Sequence, residues 1–155
     1  MGQHHIQSSA TIDAPVTTIY AILSDYHKGH QAILPKRYFT NLTVLKGGQG
    51  SGTIAQVEMN VFGAKKVLNM VISEPEPGRI LVETDREAGV VTTFTLDPTE
   101  DLRRTQVTIS TVMEPSSGLR GLFEKMLNPP IIRRIYRQEL QLLADFAAKK
   151  DYSDR

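Results

Sequence analysis

The sequence predicts an α+β domain: an antiparallel sheet of about seven strands against one long C-terminal helix, with two short helices between the first two strands. Two observations carry this reading. From Arg37 to Met113, apolar and polar residues alternate in six runs joined by short, turn-rich segments, and joints that short pair strands antiparallel. From Ile132 the spacing changes to threes and fours, through Ile135, Tyr136, Leu140, Leu143, Phe146 and Ala147, which is the stripe of one helical face. Arg133, Arg134, Arg137, Gln138, Gln141 and Asp145 take the opposite side. Such a stripe cannot bury itself, and the meander supplies its floor.

The totals agree with one domain over 1–150 and a frayed tail over 151–155. The chain has 155 residues, 40% apolar and 23% charged, as in ordinary globular proteins. A net charge of +1 gives no global attraction to nucleic acid. With no cysteine, disulfides, thiolate nucleophiles and thiolate metal sites are excluded. No apolar run is long enough for stable membrane insertion. The start, Met1-Gly2-Gln3-His4-His5, lacks the pattern of a signal peptide, so a cytoplasmic location is expected.

In chain order, 4–12 reads as a strand with Ile6, Ala10 and Ile12 on one side, and His4 and His5 pointing oppositely. Asp13 is the expected N-cap of a short helix carrying Ile19, Ile22 and Leu23, with Pro15 in its first turn. A second short helix is expected over 26–34, interrupted by Gly29 and closed by Pro35. The meander strands fall at 38–45, 53–62, 66–73, 79–84, 90–96 and 105–113. Their joints are 47–52, 63–64, 74–78, 86–89 and 97–99. Taking Gly63-Ala64 as a two-residue turn pairs Phe62 with Lys65, Met59 with Leu68, Val57 with Met70 and Ala55 with Ile72. One face is then wholly apolar, and a one-residue slip would mix the faces. Before the long helix, 117–127 reads as a lead helix. Asn128-Pro129-Pro130 then breaks or kinks the chain, with Asn128 capping the main helix.

This order resembles the helix-grip fold of the START-like (SRPBCC) superfamily, which includes birch-pollen-allergen-like proteins and the polyketide cyclase/dehydrase and lipid-transport group. The likeness spans nearly the whole chain. Its local marks are Ala10-Thr11-Ile12-Asp13-Ala14-Pro15, Ile19-Tyr20-Ala21-Ile22-Leu23-Ser24-Asp25-Tyr26, Gly50-Ser51-Gly52-Thr53 and Glu74-Pro75-Glu76-Pro77-Gly78-Arg79-Ile80. The resemblance implies a curved sheet wrapped on the long helix, with a cavity between them for a lipid, polyketide, sterol or other apolar molecule. It identifies architecture better than function.

The cavity lining expected from these faces is Val57, Met59, Leu68, Met70, Phe94, Met113, Tyr136 and Leu140. Tyr38 joins them as a hydroxyl for the ligand, and His30 as a polar group at the pocket mouth. Methionines adapt to varied apolar shapes and also serve as ordinary core. No catalytic constellation is visible. Glu58 and Glu83, the mid-strand acids, are both expected to point outward, and no nucleophile elbow occurs. Asp25, His27 and His30 cluster in sequence, but a short glycine-interrupted helix with no further ligand motif predicts no metal, and no cofactor is expected. Gly47 to Gly52 precedes a strand rather than a helix, so it reads as a flexible loop and not a phosphate cradle. The basic helix face reads as solvated.

The leading expectation is a monomer or homodimer that binds, transports or sequesters a hydrophobic or amphipathic small molecule: a lipid, polyketide or quinone-like compound. An aromatase/cyclase or dehydratase using the same cavity is the alternative, with Tyr38, His30 and Tyr136 tested first. A co-chaperone-like module binding a protein partner is the third. The Asn128-Pro129-Pro130 junction is the expected gate for ligand entry.

Overall fold

A computed structural model describes residues 4–114 and 129–149. In chain order the elements are β1 (His4–Ile12), α1 (Val16–Ser24), α2 (Gly29–Ala32), β2 (Phe39–Lys46), β3 (Ile54–Val61), β4 (Ala64–Glu76), β5 (Ile80–Asp85), β6 (Val90–Pro98), β7 (Thr105–Met113) and α3 (Pro129–Ala147). α3 opens on the proline pair, where missing N–H groups leave no helical bond unmade. The expected lead helix, the Asn128 cap and the tail over 151–155 lie outside the described residues, and of the expected gate only Pro129 and Pro130 lie within them.

One antiparallel sheet runs in the order β1-β7-β6-β5-β4-β3-β2. The meander holds from β2 to β7, and β1 returns to β7, leaving β1 and β2 as the edges. Register shifts in β2 and late in β4 mark bulges, which bend a strand locally. The late one lets β4 run on through Pro75 to Glu76, so the expected 74–78 joint is shorter than the sequence suggests.

The β3–β4 hairpin corrects the predicted register by two residues. Val61 pairs with Ala64, Val57 with Leu68 and Ala55 with Met70. The turn is Phe62-Gly63, with φ of 51° and 89°, the double left-handed conformation that matches strand twist. The Asn60 side chain accepts the Gly63 N–H at 2.9 Å. Because a strand's side chains repeat every two residues, a shift of two keeps the faces. Ala55, Val57, Met59, Leu68, Met70 and Ile72 are buried together as expected.

Three local readings are also corrected. Pro15, not Asp13, caps α1: its carbonyl takes the Ile19 N–H, and no side chain caps the helix. Gly29 begins α2 rather than interrupting it, and a Cβ there would lie 2.4 Å from the Ile22 carbonyl oxygen. The glycine loop is tied down rather than slack. Gly50 N–H donates to the Ser24 carbonyl at 2.8 Å, Ser51 N–H to Glu74 at 2.6 Å, and Tyr26 N–H to the Gly48 carbonyl at 2.8 Å. Tyr20 O–H donates to the other Glu74 oxygen at 2.6 Å, so one carboxylate joins α1, the loop and β4.

The core lies between the sheet and α3. Ile132, Ile135, Leu140 and Leu143 are buried, and α3 contacts β1, α1 and α2.

Candidate functional site

A cavity of about 70 Å³ lies between the inner sheet face and the first half of α3. Its walls are mostly apolar: Val57, Met59, Leu68, Met70, Phe94 and Met113 from the sheet, Ile132 and Ile135 from the helix. Polar side chains concentrate along one track. Ile72 of β4 stands opposite Glu83 of β5, Glu83 opposite Thr92 of β6, and Thr92 opposite Thr111 of β7. One cross-strand row therefore carries a carboxyl and two hydroxyls across an otherwise apolar face.

Glu83 corrects the outward placement expected from the sequence. It does alternate against Ile80, Val82 and Thr84, but the buried set is Leu81, Glu83 and Asp85. The more apolar set lies half-exposed, so hydrophobicity alone chooses the wrong side of β5. Its neighbours explain why an acid is tolerated inside. Tyr26 O–H donates to Glu83 Oε2 at 2.6 Å, and His30 Nε2 approaches the same oxygen at 3.1 Å. The other ring nitrogen, Nδ1, lies 2.7 Å from the Leu23 carbonyl, which only accepts, so Nδ1 carries hydrogen. The Nε2–Oε2 contact then needs one further proton, held by ring or carboxyl. Stacking on Tyr26 (centroids 4.2 Å apart) and an edge contact with Phe94 (5.6 Å) fix the imidazole. Burial, and then the Glu83 carboxylate, push the Tyr26 hydroxyl pKa well up, so it stays a donor.

Thr92 and Thr111 share a hydrogen bond of 2.8 Å, and Thr111 also bonds the Tyr136 hydroxyl from α3. Burial raises the Tyr136 pKa, the Thr111 bond opposing it. Three residues on, Glu139 lines the cavity at 3% exposure. Burial and then Glu83 raise its pKa well above the ordinary glutamate value. Glu139 sits seven residues after Ile132 and four before Leu143, so it lies within the apolar stripe. That position was the available signal for it. For Glu83 the signal was the strand pairing with inward-facing Ile72.

Of the residues expected at the site, Val57, Met59, Leu68, Met70, Phe94, Met113, Tyr136 and His30 line the cavity. His30 is 2% exposed, so it belongs to the buried wall and not to a solvated mouth. Tyr38 and Leu140 fall outside the lining. β2 starts one residue later than expected, which gives the inner position to Phe39 and leaves Tyr38 in the preceding turn. Tyr38 is 1% exposed and packs edge-on against Phe62, its hydroxyl unpartnered. Leu140 is buried in the core instead. Sequence reasoning missed Glu83, Glu139, Thr92, Thr111 and Tyr26.

Among the described residues no three His, Cys, Asp or Glu side chains converge as metal ligands. His27 is exposed and turned to the Gly47 carbonyl at 3.3 Å, away from the contacts of His30. No helix among the described residues is long and apolar enough to cross a membrane.

A seven-stranded antiparallel sheet, a long C-terminal helix on one face and a cavity between them define the START-like helix-grip class. The chain belongs to the family described as polyketide cyclase / dehydrase and lipid transport, whose model matches residues 3–147. Among solved structures it is similar to the KanY protein, with 26% identity, 96% of this chain and 100% of that one covered, and a TM-score of 0.81. The Zhui aromatase/cyclase from Streptomyces sp. R1128 shares the fold at 17% identity, with 94% of each chain covered and a TM-score of 0.71. A START superfamily protein from Mycobacterium smegmatis does so at 15% identity, with 97% and 98% covered and a TM-score of 0.64. No curated protein matches the sequence.

Proposed function

We propose that this protein binds an amphipathic small molecule, with an apolar body and one or two polar groups, between its sheet and α3. The observation that carries this reading is the cavity itself: apolar on most sides, with hydroxyl and carboxyl groups gathered on one track. Burial of ligand surface drives binding at about 25 cal/mol per Å², less the costs of association. Lipid, polyketide and quinone-like molecules meet this description. At about 70 Å³ the cavity is narrow beside typical pockets of about 300–1,000 Å³. A ligand of drug size therefore spreads α3 from the sheet as it enters. The cytoplasm is the expected compartment, and a monomer or homodimer the expected state. Native mass spectrometry of the recombinant protein tests the reading. A co-purified or added apolar ligand held in the gas phase supports it, and its loss on Met59→Trp, which fills the cavity, ties it to this site. A protein that stays empty under every such ligand contradicts it.

A second reading, aromatase/cyclase or dehydratase chemistry, is favoured by the Tyr26–Glu83–His30 cluster. A buried imidazole and carboxyl sharing a proton form an acid–base pair within reach of a cavity-bound substrate. Turnover that vanishes in His30→Asn while ligand binding persists would support catalysis over simple carriage.

A further inference from the structure

Glu139 is the polar group of this cavity that the protein leaves for something else. The other polar side chains on the track are engaged. Tyr26 and His30 hold Glu83, His30 also holds the Leu23 carbonyl, and Thr92, Thr111 and Tyr136 form a chain. Lys66 of β4, which also lines the cavity, is itself engaged. Among the described residues, no donor reaches the Glu139 carboxyl, although it is 3% exposed and faces the cavity. An unpaired carboxylate in such surroundings is far less stable than the neutral acid. The second carboxyl in the cavity, Glu83, pushes in the same direction. A neutral carboxylic acid has one O–H to donate and no charge to offer an anion.

We propose that Glu139 sets the ligand specificity of the cavity, donating a hydrogen bond to an uncharged acceptor oxygen (ketone, ester or alcohol) and turning away molecules that carry a free carboxylate. This rests on the cavity-binding reading above and adds the chemical class of the polar end. A ligand carboxylate would lose its water beside Glu83 and Glu139, with His30 already committed to Glu83 and Lys66 already engaged. A ketone loses little water and gains the Glu139 donor. The acid is therefore a filter between ligands of nearly equal shape.

Three probes with one naphthalene body separate the possibilities by calorimetry near neutral pH: 2-ethylnaphthalene, 2-acetonaphthone and 2-naphthoate. The wild type is expected to bind the ketone about tenfold more tightly than either other probe, the value of one buried hydrogen bond. Glu139→Leu is expected to lose the preference of ketone over hydrocarbon. Glu139→Gln, whose amide still donates, keeps it, and urea midpoints near the wild-type value show that both variants are folded. If the wild type binds all three probes about equally, or if Glu139→Leu retains the wild-type ranking, the role of Glu139 is overturned and the cavity reading stands. If none of the three binds, the role of Glu139 is overturned, and the cavity reading falls with it only if native mass spectrometry also finds the protein empty under every apolar ligand.

Discussion

Gly29→Ala sets helix propensity against close packing. Alanine normally stabilises a helix relative to glycine by about 0.5–1 kcal/mol, and Gly29 has no left-handed φ to preserve. Propensity alone therefore expects a more stable protein. A Cβ at Gly29, however, would stand 2.4 Å from the Ile22 carbonyl oxygen and 2.9 Å from its Cα. Both atoms are backbone and cannot swing aside. Reaching an ordinary contact of 3.4 Å requires α2 to move from α1 by roughly 1 Å. Overpacking of this kind costs about 1–3 kcal/mol. The same movement pulls His30 from the Leu23 carbonyl, now 2.7 Å away, and a buried group left unsatisfied adds about 1–3 kcal/mol. With the propensity gain subtracted, a net loss of about 1–5 kcal/mol is expected in urea unfolding. The His30 ring resonances should shift as well. An alanine variant as stable as the wild type, with His30 unmoved, would refute the claim that this contact positions the imidazole.

Other perturbations test separate parts of the site. Glu83→Leu strands both the Tyr26 hydroxyl and His30 Nε2, so a loss of about 2–4 kcal/mol is expected. Tyr26→Phe removes only one of these bonds and should cost less. Glu139 retains its proton in the folded state above the ordinary value of 4.5, while the unfolded chain gives it up. Its contribution is therefore fully present below about pH 4.5 and lost as pH rises through the folded pKa. Glu139→Gln should flatten that decline in urea melts taken across this range, and an unchanged slope would contradict it. Phe62 occupies a left-handed position (φ 51°), so Phe62→Asn, giving Asn-Gly in the turn, relieves about 1–2 kcal/mol of backbone strain. It also loses the edge contact with Tyr38, worth about 0.5–1.5 kcal/mol. Thermal melts should show a net gain below about 1 kcal/mol, and a full gain in the Tyr38→Leu background.

The frame was legible because periodicity reports on average burial. β7 falls where alternation places it, and the hairpin faces survive a register error of two, since faces depend only on parity. The site was half legible for the same reason. Apolar lining residues such as Val57, Met70 and Met113 follow their faces inward. Glu83 and Glu139 are acids inside apolar surfaces, and a rule that sends acids outward must misplace them. What permits them is tertiary: Tyr26 and His30 arriving from the α1–α2 region for Glu83, and for Glu139 a burial that raises its pKa and so favours the neutral acid. Tyr38 failed differently, through a one-residue shift of strand start that no local signal marks.

The binding claim is tested most directly by methionine-methyl NMR during titration with 2-acetonaphthone. Met59, Met70 and Met113 line the cavity from three different strands, and Met1 lies far from them in sequence, before β1. Saturable shifts are expected at those three methyls together, abolished by Met59→Trp at the two that remain. Shifts that never saturate, or that leave Met59, Met70 and Met113 unmoved, would contradict ligand binding between the sheet and α3.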